Sequence, residues 1–171
     1  WAHFATAAFD PPPAPNDLAG NDGPIIGFFG LIHDWIDQDL LVRVARALPR
    51  AQLLLIGKSR VDVSALAAEP NITLLGQKPY RELPAYAARF DVALVPFVVN
   101  ELTRAVNPIK LREYLSAGVP VVSTALPELL GLDDGSTVRV ARNAGEFVAA
   151  VAEVTTNPPN TAQRRKLAQS M

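Results

Sequence analysis

Cysteine is absent from the 171 residues, which excludes disulfides, thiolate nucleophiles and cysteine-held metal centres. Histidine occurs only at His3 and His33, so metal catalysis is not expected, and no cofactor is expected either way. No apolar run approaches the roughly 18 residues of a membrane span, and the first residues lack the basic-then-apolar order of a secretory leader. Charge of one sign is missing too: a net charge of −1 gives no electrostatic reason to expect nucleic acid or an anionic membrane as the main partner. A soluble, cytoplasmic protein is the expectation. The chain also opens at Trp1 without a methionine, as an excised piece of a longer protein would.

What is present is apolar surface in repeating blocks. Hydrophobic residues make up 49% of the chain, enough for the core of one domain. Residues 1–23 are rich in proline, with Pro11, Pro12, Pro13 and Pro15, and read as an interdomain linker or N-terminal extension that Trp1 and Phe4 could pin down. From Pro24 onward short apolar runs alternate with helical patterns, the signature of a parallel sheet covered by helices. Strands are expected at 25–30, 52–56, 71–75, 92–96, 120–124 and 137–141. Helices are expected at 37–48, 62–68, 82–90, 108–117, 128–130 and after Asn143, where Glu146 completes a pattern like a capping box. The fold class is therefore α/β: a Rossmann-like three-layer domain over 24–156 with a six-stranded, mostly parallel sheet. A helical tail over 157–171 follows Asn157-Pro158-Pro159-Asn160.

The helix expected at 108–117 is the most sharply specified. Asn107 is a good N-cap, and Pro108 suits the first helical position, where its missing N–H costs nothing. Gly118 and Pro120 end it. Its spacing sets Leu111, Tyr114, Leu115 and Gly118 on one side and Lys110, Glu113 and Ala117 on another. Lys110 is out of place, because a cation in the first turn opposes the helix dipole by about 0.3–1 kcal/mol. A bound phosphate would reverse that sign. The plainer reading is a solvent-exposed Lys110–Glu113 pair worth about 0.2–0.5 kcal/mol.

In an open parallel sheet, ligands gather outside the carboxyl ends of the strands. Three segments lie there: 27–34 with Gly30 and His33, 57–60 with Lys58 and Arg60, and 102–110. Gly30 lets a backbone approach a ligand closely. His33 could orient a substrate or move a proton. Thr103, Arg104 and Asn107 could donate to phosphate. The spacing matches neither G-x-G-x-x-G nor a P-loop, so those two fingerprints are not the basis of any site here.

The order of these segments resembles the C-terminal half of GT-B-fold glycosyltransferases of the group-one, family-four-like type, which use nucleotide sugars. The resemblance runs from about Pro24 to Val154 and rests on residues 26–30, 54–57, 71–76, 83–86, 90–96 and 110–123. It implies two Rossmann-like domains facing each other across a cleft, with the C-terminal one holding a nucleoside-diphosphate sugar. By the same resemblance Glu113 would accept hydrogen bonds from ribose hydroxyls and Lys110 would meet the diphosphate. Gln77 and Lys78, within 76–80, would line the base pocket, and Gly30 would let the phosphates approach. Lys110 and Glu113 are then the catalytic candidates, acting by position and charge. Gly30, His33, Lys58, Gln77, Lys78, Thr103, Arg104 and Asn107 complete the donor-binding set.

The acceptor, a sugar or a lipid-linked sugar, would bind largely to an N-terminal domain missing from this chain, so little or no transfer is expected from these residues alone. The resemblance further implies polysaccharide or glycolipid synthesis, with the full-length protein peripheral to the membrane. The chain departs from the family pattern in two places. Ala105 stands where many members carry a second glutamate, with Glu101 as the nearest substitute, and Leu31, Ile32 and His33 occupy a loop where an Arg and Lys pair is usual. Two other readings suit the same sheet: half of a GT-B-type sugar-nucleotide epimerase or phosphorylase, and a non-catalytic flavodoxin-like interaction domain with Asp34 and Asp37 as phosphoacceptor candidates.

Overall fold

The computed structural model describes residues 2–18, 22–104, 109–158 and 160–169. Six strands form one sheet: β1 (Ile25–Phe29), β2 (Gln52–Ile56), β3 (Ile72–Gly76), β4 (Val92–Val95), β5 (Val121–Thr124) and β6 (Val138–Ala141). Their order is β3-β2-β1-β4-β5-β6, and every neighbouring pair is parallel. The central strands are apolar on both faces because both are covered, so β2 and β4 are near-continuous hydrophobic runs. The expected Rossmann-like class holds, and the sheet is parallel throughout.

Nine helices are described: α1 (Ala2–Phe9), α2 (Gln38–Ala47), α3 (Ser64–Ala67), α4 (Leu83–Ala87), α5 (Glu101–Arg104), α6 (Ile109–Ser116), α7 (Pro127–Leu130), α8 (Ala144–Thr156) and α9 (Thr161–Gln169). They are distributed over the two faces of the sheet. Helices α2, α3 and α8 form one layer, and α1, α4, α6 and α9 pack together as the other. Local chemistry sets the ends. The Asp37 carboxylate caps α2 by accepting from Leu40 N–H at 2.9 Å, and Asn143 caps α8 by accepting from Glu146 N–H at 2.9 Å. Glu146 reaches back to the N–H of Arg142 at 2.8 Å, so the capping box closes one residue earlier than in its usual form.

The flanking segments are more integrated than their composition suggested. Where proline content suggested a linker, residues 2–9 form a helix whose Phe4 is fully buried, its ring 5.7 Å from that of Phe29 in β1. Helix α9 is held by Arg164, whose guanidinium donates to the carbonyls of Ala88, at 3.0 Å, and Phe90. Burial lowers the Arg164 pKa, and the nearby Asp91 charge offsets part of that effect.

The feature that places the site is a separation between β1 and β4. They pair only at Ile26 with Val92 and Gly27 with Ala93, after which the strands part. The N–H of Phe29 therefore donates to a side chain, the buried Tyr114 hydroxyl of α6, at 2.9 Å. Strand order reverses at this same junction, which is where open α/β sheets bind ligands.

Candidate functional site

Helix α6 packs against β1 through Tyr114 and buries Leu111, Glu113, Tyr114, Leu115 and Ser116, while Ile109 and Arg112 remain exposed. Its end is sharply set. Gly118, at φ 70°, lets Val119 N–H return to Tyr114 O and Gly118 N–H to Leu115 O, both at 2.9 Å, a Schellman closure. The expected cap and first residue, Asn107 and Pro108, lie outside the described residues, as does Ala105.

Beside α6 opens a cleft of about 450 Å³, walled by the loops after β1, β2 and β3. Gly30, Lys58, Gln77, Lys78, Lys110 and Glu113 line it, together with the rings of Phe29 and Tyr80. Six of the ten sequence-derived site residues therefore meet in one place. The loops after β1 and β2 extend the sheet toward it: Gly30 N–H donates to Ile56 O and Ile32 N–H to Lys58 O, each at 2.8 Å. Gly30 has φ 153°, and a β-carbon there would lie 2.2 Å from Lys110 Cε and 3.0 Å from its Nζ. The missing side chain is the space through which Lys110 runs.

The plainer reading of Lys110 and Glu113 as an exposed pair is overturned. Glu113 is only 7% exposed, and among the described residues the two do not form an ion pair. Instead the Tyr80 hydroxyl donates to Glu113 Oε1 at 2.5 Å, and the second carboxylate oxygen has no described partner. Burial raises the Tyr80 pKa, and the bond to Glu113 adds to this, taking it to about 12. Burial pushes the Lys110 ammonium below the ordinary lysine range, opposed only partly by the Glu113 charge. A half-buried cation without an ion-pair partner among the described residues, beside a carboxylate oxygen with no described partner, suits a ligand carrying both negative charge and hydroxyl groups.

The remaining candidates separate from this group. His33 bonds Asp34 at 2.5 Å and stacks on Trp35 with centroids 4.2 Å apart, outside the cleft lining. Thr103 is 1% exposed and serves its own loop, donating to Val98 O and accepting from Asn100 N–H at 2.9 Å, so it is not free to meet a phosphate. The Arg104 side chain and Asn107 are outside the described residues, and Glu101 is exposed at the start of α5. Asp37 is occupied as a cap and Asp34 lies beside His33, which removes the phosphoacceptor pattern. Among the described residues no cluster of acidic and imidazole groups suits a metal ion.

Sequence reasoning underrated Tyr80, named only as part of the base-pocket segment, and missed Asp17. The Asp17 carboxylate bonds Lys78 Nζ at 2.7 Å and accepts from Tyr86 Oη at 2.9 Å. Its only sequence signal was an acidic residue within the proline-rich stretch.

Fold and cleft together define a Rossmann-like domain with a cleft at the strand-order reversal, the place where open α/β sheets hold their ligands. The chain belongs to the group 1 glycosyl transferases, whose family model matches residues 23–157. It is 34% identical over 114 residues to TuaH of Bacillus subtilis (strain 168), assigned as a teichuronic acid biosynthesis glycosyltransferase, covering 64% of this chain and 29% of that protein. Among solved structures, sucrose-phosphate synthase from Thermosynechococcus elongatus superposes with a TM-score of 0.69 at 20% identity, over 96% of this chain and 41% of that one. Anabaena HepE in complex with UDP and glucose gives 0.64 at 16% identity, over 98% and 45%. The chain thus spans less than half the length of each of these proteins. No described helix is long and apolar enough to cross a membrane.

Proposed function

We propose that residues 24–156 are the nucleotide-sugar-binding domain of a glycosyltransferase that moves a sugar from a nucleoside diphosphate to a sugar or lipid-linked acceptor. The observation that carries this reading is the occurrence together, on one helix at the strand-order reversal, of a Lys110 cation with no ion-pair partner among the described residues and a Glu113 carboxylate whose second oxygen has no described partner. In this reading the ribose hydroxyls donate to Glu113, and Lys110 neutralises the diphosphate and the charge that grows on it as the sugar leaves. Gln77 borders the base, and Lys58 adds a second cation at the cleft wall. The likeness to TuaH supports a role in cell-envelope polysaccharide or glycolipid synthesis. Such work suits a cytoplasmic enzyme peripheral to the membrane, with the acceptor held mainly by a further N-terminal domain.

Titration of the chain with UDP, GDP and ADP, followed by calorimetry, tests the reading. One of them binds, and Glu113→Gln weakens it by roughly 10- to 100-fold, the equivalent of about 1.5–3 kcal/mol for a charged hydrogen bond. Binding of none of the three, or an unchanged Kd in the variant, sinks the assignment. Sugar transfer by these residues alone is expected to be negligible.

A further inference from the structure

One wall of the cleft is held in place by residues that do not line it. The segment 77–80 contributes Gln77, Lys78 and Tyr80 to the lining, and each end of it is gripped by the proline-rich stretch that precedes β1. At one end Asp17 takes Lys78 at 2.7 Å and is itself anchored by the Tyr86 hydroxyl of α4 at 2.9 Å. At the other, two residues of α1 pack on the Tyr80 ring: His3 edge-on with centroids 4.9 Å apart, and Phe4 at 5.8 Å. Phe4 is fully buried and stacks on Phe29, so this contact is tied to the sheet. Tyr80 is 52% exposed as a residue, yet its hydroxyl reaches inward to Glu113 Oε1 at 2.5 Å.

This geometry has a chemical consequence for Glu113. A carboxylate at the end of a two-carbon stem has several rotamers, and one hydrogen bond that holds Oε1 fixes where Oε2 stands. A fixed second oxygen can accept two hydroxyl groups without the entropy of first ordering the side chain. Tyr80 is well placed to do this because its own ring is held by α1.

We propose that Tyr80 is a positioning residue for Glu113 in nucleotide binding, and that the stretch before β1 sets Tyr80 through Asp17 on one side and His3 with Phe4 on the other. The proposal rests on the reading of Glu113 as the ribose acceptor and adds to it a through-residue and a support. It assigns residues 2–18 to the donor site, although only their contacts, and none of their side chains, reach the cleft.

A double-mutant cycle on the whole chain tests it, with whichever of UDP, GDP or ADP binds tightest as the probe. Tyr80→Phe raises the Kd about tenfold in the unmodified chain and less than twofold in a Glu113→Gln background, because the hydroxyl acts only through the carboxylate. Asp17→Asn raises the Kd about threefold, and Asp17→Glu restores it. The ring resonances of Tyr80 in NMR spectra move in both Glu113→Gln and Asp17→Asn without any nucleotide present. Additive losses in the cycle, tighter binding by Tyr80→Phe, or an unchanged Kd in that variant each overturn the proposal while leaving the ribose assignment in place. If the unmodified chain binds none of the three nucleotides, the ribose assignment fails and the role given to Tyr80 fails with it.

Discussion

Of the three lysines that border the cleft, Lys78 has its charge answered and Lys110 does not. Lys78 meets Asp17 at 2.7 Å and stands 5.7 Å from the centre of the Tyr86 ring, contacts that raise its pKa. Lys110 is half-buried against Gly30, has no carboxylate within ion-pair reach among the described residues, and is pushed the other way by burial. The first arrangement is complete without a ligand. The second leaves a cation desolvated on one side, a state that an anion would relieve. The two shifts run in opposite directions although both lysines line one cavity, which is what the proposed reading requires of a structural charge and a ligand-directed one.

The strongest way to break this contrast is to remove the space that Lys110 uses. Gly30→Val would place atoms where Lys110 Cε lies, at a φ that valine rarely adopts, and nucleoside-diphosphate binding should fall by more than about 100-fold in calorimetry. Next, Lys110→Met should weaken binding by roughly 10- to 30-fold, about 1.5–2 kcal/mol, while leaving the thermal midpoint of the free chain unchanged or higher. A large drop in that midpoint would show Lys110 to be structural.

The sign of the pH dependence follows from the depressed Lys110 pKa. Burial disfavours the ammonium in the free fold, so its penalty is fully present below the depressed pKa and relieved as pH rises toward the unfolded value. The diphosphate favours the charged form, so affinity should decline as pH rises through that depressed pKa, and the decline should be absent in Lys110→Met. The smallest effect belongs to Lys78. Lys78→Met should cost about 1 kcal/mol of stability, read from denaturant unfolding, and change nucleotide affinity only about threefold. If Lys78→Met weakens nucleotide binding more than Lys110→Met does, the contrast is inverted.

The sheet was legible in the sequence because parallel strands covered on both faces are written as continuous apolar runs, and all six stood out. The cap Asn143 was legible for a local reason, since it bonds a backbone group three residues on, whereas Asp37 was read only as a charge near its helix start. Gly30, Lys110 and Glu113 could be brought to one edge by topology alone. What could not be read depends on contacts distant in sequence. Glu113 looked like a surface partner of Lys110 because i,i+3 spacing implies proximity, whereas its actual partner, Tyr80, arrives from the loop after β3. Thr103 looked available because loop position says nothing about burial, and Asp17 and Arg164 act on residues more than sixty positions away. Helix α1 was obscured by the prolines that follow it, and its Phe4 was a single aromatic with no periodic context.

Tyr114 carries a meaning that its place on the apolar stripe of α6 does not suggest. Where two neighbouring strands part, each loses bonding partners, and a sheet normally resolves this by staying closed or by admitting water. Here one phenol satisfies the amide of Phe29 beyond the last paired residues of β1 and β4, while the other end of the seam remains stitched. The amide left over where the strands part is thus satisfied by a residue that lies outside the cleft lining.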